Sequence, residues 1–143
     1  EFLPKFDYSL KAQSLNPKKI YAMDIGLVNV LSDSFSSDDG HRLENLVYLH
    51  LRRCYDKLFY FRKTKECDFI AFKNGKPKTA IQVCTKITDM NFEREISGVT
   101  EAMEVLQLTE GIIVTLNQTD TFEKNGLTIR MIPVYSFMSE TVK

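Results

Sequence analysis

The sequence predicts an α/β domain, and three observations carry that reading. Glu66 to Lys86 reads as two strands joined by a turn. The apolar run Phe69-Ile70-Ala71-Phe72 is followed by Asn74-Gly75, which tolerates positive φ, and then by Ala80-Ile81-Gln82-Val83-Cys84. Two stretches repeat apolar residues at helical spacing. A short apolar run, Ile112 to Leu116, has the composition of a buried parallel strand.

Taken in order, residues 1–17 are punctuated by Pro4 and Asn16-Pro17, with one helical turn expected at Tyr8 to Ala12. They read as the trailing segment of a preceding region, docked or irregular, and 18–143 as the domain itself. The chain lacks an initiator Met, which suits a piece of something longer. Lys18 to Leu31 contains the apolar run Ile20 to Met23 and then Asp24-Ile25-Gly26-Leu27-Val28-Asn29-Val30. Ser32 to Gly40 is a loop by composition. His41 to Tyr55 is a helix whose stripe is Leu43, Leu46, Val47, His50, Leu51 and Cys54, with Glu44 at its edge. Leu58 to Arg62 is a strand. Asn91 to Gln107 is a second helix with a stripe of Ile96, Val99, Met103 and Leu106. Glu93, Glu95, Glu101 and Glu104 fall outside that stripe. A polar loop after Leu116 leads through Asn125-Gly126 to a strand at Leu127 to Ile132, and a terminal helix starts within Pro133 to Met138.

The 143 residues are enough for one domain with a real core. Nineteen basic and nineteen acidic side chains cancel, so net charge selects no partner. Their distribution is uneven. Lys57 to Lys86 holds eight Lys/Arg against Glu66 and Asp68, whereas Ile87 to Glu110 holds six acids against Arg94. A basic face beside an acidic one is either a footprint for a polyanion or ordinary solvated loops and strand ends. Three cysteines without CxxC spacing, Cys54, Cys67 and Cys84, suit reduced thiols in a cytoplasmic protein. No run approaches the ~20 apolar residues of a membrane span, so no membrane partner is expected.

Asp68 opens one core strand and Gln82 sits within the next. A carboxylate and an amide on neighbouring buried strands are costly unless something binds them. With Glu44 on the first helix, this order of elements resembles the PD-(D/E)XK nuclease superfamily. More closely, the chain is similar to the C-terminal domain of unknown function of prokaryotic AAA+ ATPases. The matching segments are Lys19-Ile20-Tyr21 with Asp24-x-Gly26-Leu27, Leu43-Glu44-Asn45-Leu46-Val47-Tyr48-Leu49, Glu66-Cys67-Asp68-Phe69, Ile81-Gln82-Val83-Cys84 and Arg94-Glu95-Ile96. Together they cover Lys18 to Phe137.

The resemblance implies a restriction-endonuclease-like mixed sheet flanked by helices. It also implies a degenerate catalytic set of Glu44, Asp68, Gln82 and Lys86, the first three being the residues that would hold Mg²⁺. Gln82 stands where a second acid is expected and brings no charge, so Mg²⁺ affinity should be weak or lost. Cys84 stands where the motif's lysine would be, and a neutral thiol cannot stabilise developing negative charge. Lys86, two residues on, or Lys65 from the preceding loop is the possible replacement. No GxxxxGK[ST] occurs, so no ATP site is assigned, and the N-terminal ATPase region becomes an expected partner.

Plainer readings stand beside these. Glu44 would pair with Arg42, Arg52 or Lys65. Asp68 would be a strand-end carboxylate in water, and Gln82 would satisfy a backbone group. His50 and Cys54 have metal-pair spacing but no second pair, so they read as core. Tyr48, Tyr60 and Phe61 are packing residues or base-stacking ones.

Three functions remain open. The first is a nuclease-like module of an AAA+ protein that has lost its chemistry and binds nucleic acid or regulates its parent. Its DNA contacts would be Arg62, Lys63, Lys65, Lys73, Lys76 and Lys78. The second is an active Mg²⁺-dependent DNA nuclease. The third is a protein-interaction domain.

Overall fold

The computed structural model describes residues 1–24, 26 and 39–139. The Asp24–Val30 run beyond Asp24 and Gly26, and the loop residues 32–38, lie outside the described residues.

The strands and helices of the chain assemble into an α/β structure around a six-stranded mixed sheet, ordered β3-β4-β5-β6-β8-β7. An N-terminal ribbon pairs β1 (Phe2–Pro4) antiparallel to β2 (Lys18–Ile20), with helix α1 (Leu10–Leu15) between them. Then come α2 (Asp39–Cys54), β3 (Lys57–Arg62), β4 (Glu66–Lys73), β5 (Lys76–Val83) and α3 (Phe92–Leu106). The chain continues through β6 (Glu110–Thr115), β7 (Asp120–Lys124) and β8 (Leu127–Pro133) to α4 (Val134–Ser139). Strands β3, β4 and β5 are antiparallel, β5, β6 and β8 are parallel, and β7 returns antiparallel at the edge.

The predicted hairpin forms as expected. Asn74 and Gly75 take φ of 54° and 73°, the paired left-handed values of a two-residue turn that matches strand twist. The second helix ends in a Schellman closure. Gln107 takes φ 56°, and the Leu108 amide donates to the Met103 carbonyl at 2.9 Å. Helix α3 buries its expected stripe and α2 buries Leu43, Val47 and Leu51 of its own, which fixes the two faces of the sheet. On one face Ile96, Val99 and Met103 of α3 pack on Ile70, Ala80, Ile113 and Ile129. On the other, Val47 and Leu51 of α2 and Phe137 of α4 pack on Phe69, Ile81, Val114 and Ile132.

Several expectations change. Helix α2 starts at Asp39, two residues inside the stretch that composition assigns to a loop. Leu46, His50 and Cys54 of its predicted stripe are half-buried, whereas Tyr48 is buried. The polar loop after Leu116 contains β7, an edge strand with only Phe122 turned toward the core. With one apolar residue in five, it carries no alternating pattern to betray it. Of the Ile20–Met23 run only Tyr21 is buried, while Ile20 and Met23 are exposed. For residues 1–17 the docked alternative is the one that forms: Leu3 enters the α2-side core, Phe6 packs against the α3-side core, and the Phe6 amide donates to the Tyr60 carbonyl at 2.7 Å.

Candidate functional site

The ribbon, helix α2 and the sheet converge where β4 begins and β5 ends. Glu44 lies on α2, Glu66 and Asp68 on the first turn of pleat of β4, and Gln82 one residue before the end of β5. Lys19 reaches them from β2. Its ammonium lies 3.2 Å from Glu44, 2.9 Å from Glu66 and 3.0 Å from Asp68. It also stands 5.6 Å from the centre of the Tyr60 ring. The Tyr21 hydroxyl donates to the same Glu44 oxygen that Lys19 holds, and its ring stacks on Tyr48 with centroids 4.3 Å apart.

Asp68 ties the strands together. One oxygen accepts from Lys19, and the other accepts from the Val83 amide at 3.0 Å. Its own amide donates to the Gln82 side-chain oxygen at 3.2 Å, and the Gln82 side-chain nitrogen donates to Glu95 at 2.9 Å. Glu95 is only 4% exposed and takes a second bond from Arg94 Nε at 2.9 Å. Its burial corrects the expectation that it lies outside the helix stripe. It sits four residues before Val99 and seven before Ala102, which is the spacing of the buried face.

The charges explain the protonation behaviour. With all three carboxyls ionised, one ammonium leaves the cluster net negative. Burial first, and then the charge of Glu44, push Asp68 up to about 6, against the pull of Lys19 and the Val83 amide. Burial draws the Lys19 ammonium down, but Asp68 and Glu44 outweigh it and hold the group well above the ordinary lysine range. Burial and Glu44 likewise raise the Tyr21 phenol far above its usual value.

Glu44, Glu66, Asp68, Gln82 and Glu95 border an open cavity of about 610 Å³, with Arg62, Lys65, Lys86 and Arg94 around it. Lys86 is exposed at the rim, and its carbonyl accepts from the Cys84 thiol at 3.2 Å. Burial pushes that thiol up, so it is a neutral hydrogen-bonding group. The basic residues separate into two groups. Arg62, Lys63 and Lys65 lie at the β3–β4 connection beside the cavity, whereas Lys73, Lys76 and Lys78 lie at the β4–β5 turn. β4 spans the eight residues between them. At ~3.3 Å per residue that is a separation of roughly 26 Å.

The plainer pairings expected for Glu44 and Asp68 are replaced: Glu44 is held by Lys19 and Tyr21, and Asp68 is buried at 6% exposure. Gln82 does satisfy a backbone amide. Tyr48, Tyr60 and Phe61 are buried, which removes them as base-stacking surfaces. His50 Nε2 stands 3.6 Å from Cys54 Sγ, and its ring meets Phe137 edge-on.

Whether this set fits Mg²⁺ is decided by where its oxygens point. Both Asp68 oxygens and the Gln82 oxygen accept protein donors, and one Glu44 oxygen accepts two. The place between Glu44, Glu66 and Asp68 is taken by an ammonium. Mg²⁺ takes an octahedron of oxygens at about 2.1 Å, several of them waters, and needs one or two carboxylates open at a shared position, which here the ammonium holds. As arranged, the residues do not fit it. Among the described residues, no group of three or more His, Cys, Asp and Glu side chains is placed to hold a metal ion.

The lysine–tyrosine–carboxylate contacts make a testable unit. Tyr21→Phe keeps the stacking on Tyr48 and the tilted contact with Phe69 and removes only the hydroxyl. A hydrogen bond to a charged partner contributes about 1.5–3 kcal/mol. The variant is therefore expected to lower the urea midpoint by a matching amount. An unchanged midpoint would show that water replaces the phenol at no cost.

Fold and site thus define an α/β protein with a lysine-centred carboxylate cluster at the end of its central hairpin. Comparison with known proteins adds one relative. An uncharacterized protein of Methanocaldococcus jannaschii is 39% identical over 124 residues, which cover 82% of this chain. The match covers 27% of that protein, so the chain spans about a quarter of its relative's length. No family model matches, and no solved structure matches. No described helix is long and apolar enough to cross a membrane.

Proposed function

We propose that this chain is a restriction-endonuclease-like module belonging to the C-terminal part of a prokaryotic AAA+ ATP-binding protein, catalytically degenerate and acting in nucleic-acid binding or regulation. The observation that carries the proposal is the meeting of Glu44, Asp68 and Gln82 at one end of a mixed sheet. They arrive on the run α2-β3-β4-β5-α3-β6, the helix, three strands, helix, strand order of the resembling superfamily. Two features favour lost chemistry. The Cys84 thiol occupies the motif-lysine position, and Lys19 fills the carboxylate cluster.

Nucleic acid would be drawn by the basic residues around the cavity rather than by the cluster, whose net charge repels phosphate. DNA affinity is therefore expected to fall steeply with salt. Each phosphate contact adds about 0.9 to the log–log slope. Because Arg62 and Lys65 border the cavity, replacing them with alanine should weaken binding more than replacing Lys76 and Lys78. The check is fluorescence anisotropy on duplex and single-stranded DNA across a salt series, with Mn²⁺-dependent cleavage assayed alongside. Affinity indistinguishable from zero at low salt would exclude the binding role, and cleavage lost in Asp68→Ala would restore an active nuclease.

A second reading, protein interaction, is favoured by the outer face of the ribbon. Phe2 and Ile20 are cross-strand partners exposed at 66% and 73%, which makes a small apolar surface. Loss of a partner complex on Ile20→Lys, with DNA affinity absent, would select it.

A further inference from the structure

Resting on the nuclease-like reading of this site, we infer that Lys19 is a tethered counter-ion: its ammonium, delivered by the N-terminal ribbon, stands where that fold class would use a divalent cation and makes the carboxylate site complete without metal. The geometry is that of a substitution and not of a passing surface pair. Three carboxylates, from α2 and from both ends of the first three residues of β4, approach one nitrogen at 2.9–3.2 Å. Each therefore lies within reach of a common centre, as ligands of one cation do. The lysine is not a loose solvent-facing chain. Its neighbours in sequence are fixed on both sides, with Lys18 and Ile20 paired to Pro4 and Phe2, and Tyr21 stacked between the ribbon and α2.

The two cations differ in what they demand. An ammonium offers three hydrogens and is satisfied by three acceptors, which is the number present. A divalent ion completes its six oxygens with waters but still needs one or two carboxylate oxygens open to a common centre. Here Lys19 holds that centre, and the remaining oxygens of Asp68 and Gln82 are committed to the Val83 and Asp68 amides. A covalently tethered cation also acts at a high effective concentration, so a free ion must displace it and not simply fill a vacancy. Tyr21 adds to the same latch by donating to Glu44. Divalent-cation binding and ribbon docking are then mutually exclusive at this point of the fold.

The test is a calorimetric titration of the 143-residue chain with Mn²⁺, with the Lys19→Met variant in parallel. The wild type is expected to show no saturable binding up to about 1 mM, and Lys19→Met to bind at least about tenfold more tightly. That gain should disappear when Asp68→Asn is added. Saturable wild-type binding that depends on Asp68 would overturn the inference, as would a Lys19→Met protein that gains nothing. Should Lys19→Met fail to fold, the wild type alone decides through NMR of its lysine ammonium groups. A protected Lys19 signal indifferent to Mg²⁺ supports the tethered counter-ion, and a signal that shifts or vanishes with Mg²⁺ overturns it. DNA affinity measured in the presence of a chelator separates this result from the proposed function. Loss of DNA binding with the ammonium signal intact removes that function and leaves the counter-ion in place.

Discussion

Gly98→Ala is expected to cost about 3 kcal/mol of stability, the upper end for an overpacked site, although alanine in an ordinary helix interior would gain about 1 kcal/mol over glycine. Helix α3 crosses the start of β4 so closely that a Cβ at residue 98 would lie 2.1 Å from the Glu66 carbonyl oxygen. The obstacle is backbone, so no rotamer change relieves it, and the helix must lift from the sheet. The movement reaches the candidate site. Glu95 lies one turn before Gly98 and is held by Gln82, whose oxygen in turn holds the Asp68 amide. The variant should therefore loosen the hydrogen-bonded end of β5 as well as lower the urea midpoint, and amide exchange at Asp68 and Val83 should quicken. Gly40→Ala is the control. It also lies in a helix, and a Cβ there meets nothing within 4 Å. Equal effects at the two positions would mean that helix propensity, not close approach, governs residue 98.

How legible this was in the sequence depends on the length of each pattern. Ile96, Val99, Met103 and Leu106 repeat over three turns, and Asn74-Gly75 and Asn125-Gly126 mark both hairpin turns with a residue pair that few other conformations prefer. Asp68 and Gln82 stood out because each is polar within an apolar strand, and the structure places them in contact. Lys19 did not stand out as part of this site. It lies on a three-residue strand, too short for any periodicity, and its partners are 25, 47 and 49 residues away in sequence. Only the folded chain brings the Lys19 side chain of the N-terminal ribbon to those carboxylates. Glu95 was hidden for another reason. Its spacing matches the buried face, but its charge argues for solvent, and charge is overruled here because Gln82 and Arg94 satisfy both carboxylate oxygens.

Lys19→Met is expected to be the most pH-dependent change in the protein. Methionine keeps the stem and volume and removes the charge, which leaves Asp68, buried at 6% exposure, beside Glu44 without the ammonium that touches both. Removing one partner of a buried ion pair costs about 3–5 kcal/mol, because the other charge is stranded. At 25% side-chain exposure Lys19 should fall toward the lower end. The sign with pH follows from Asp68, whose folded value, about 6, stands above its ordinary 3.8. A carboxyl raised in the folded state gives its full contribution below the ordinary value and loses it as pH rises through the folded one. In the wild type that loss falls between about pH 4 and pH 6. Lys19 is one of the groups holding Asp68 down, so its removal carries the loss further toward neutrality. The destabilisation should accordingly be small near pH 4, where Asp68 is protonated in both proteins, and reach its full size at pH 7 and above. Urea midpoints of wild type and variant across that range are the measurement. A difference of the same size at every pH would mean that the lysine stem, and not its charge, secures the ribbon to the sheet.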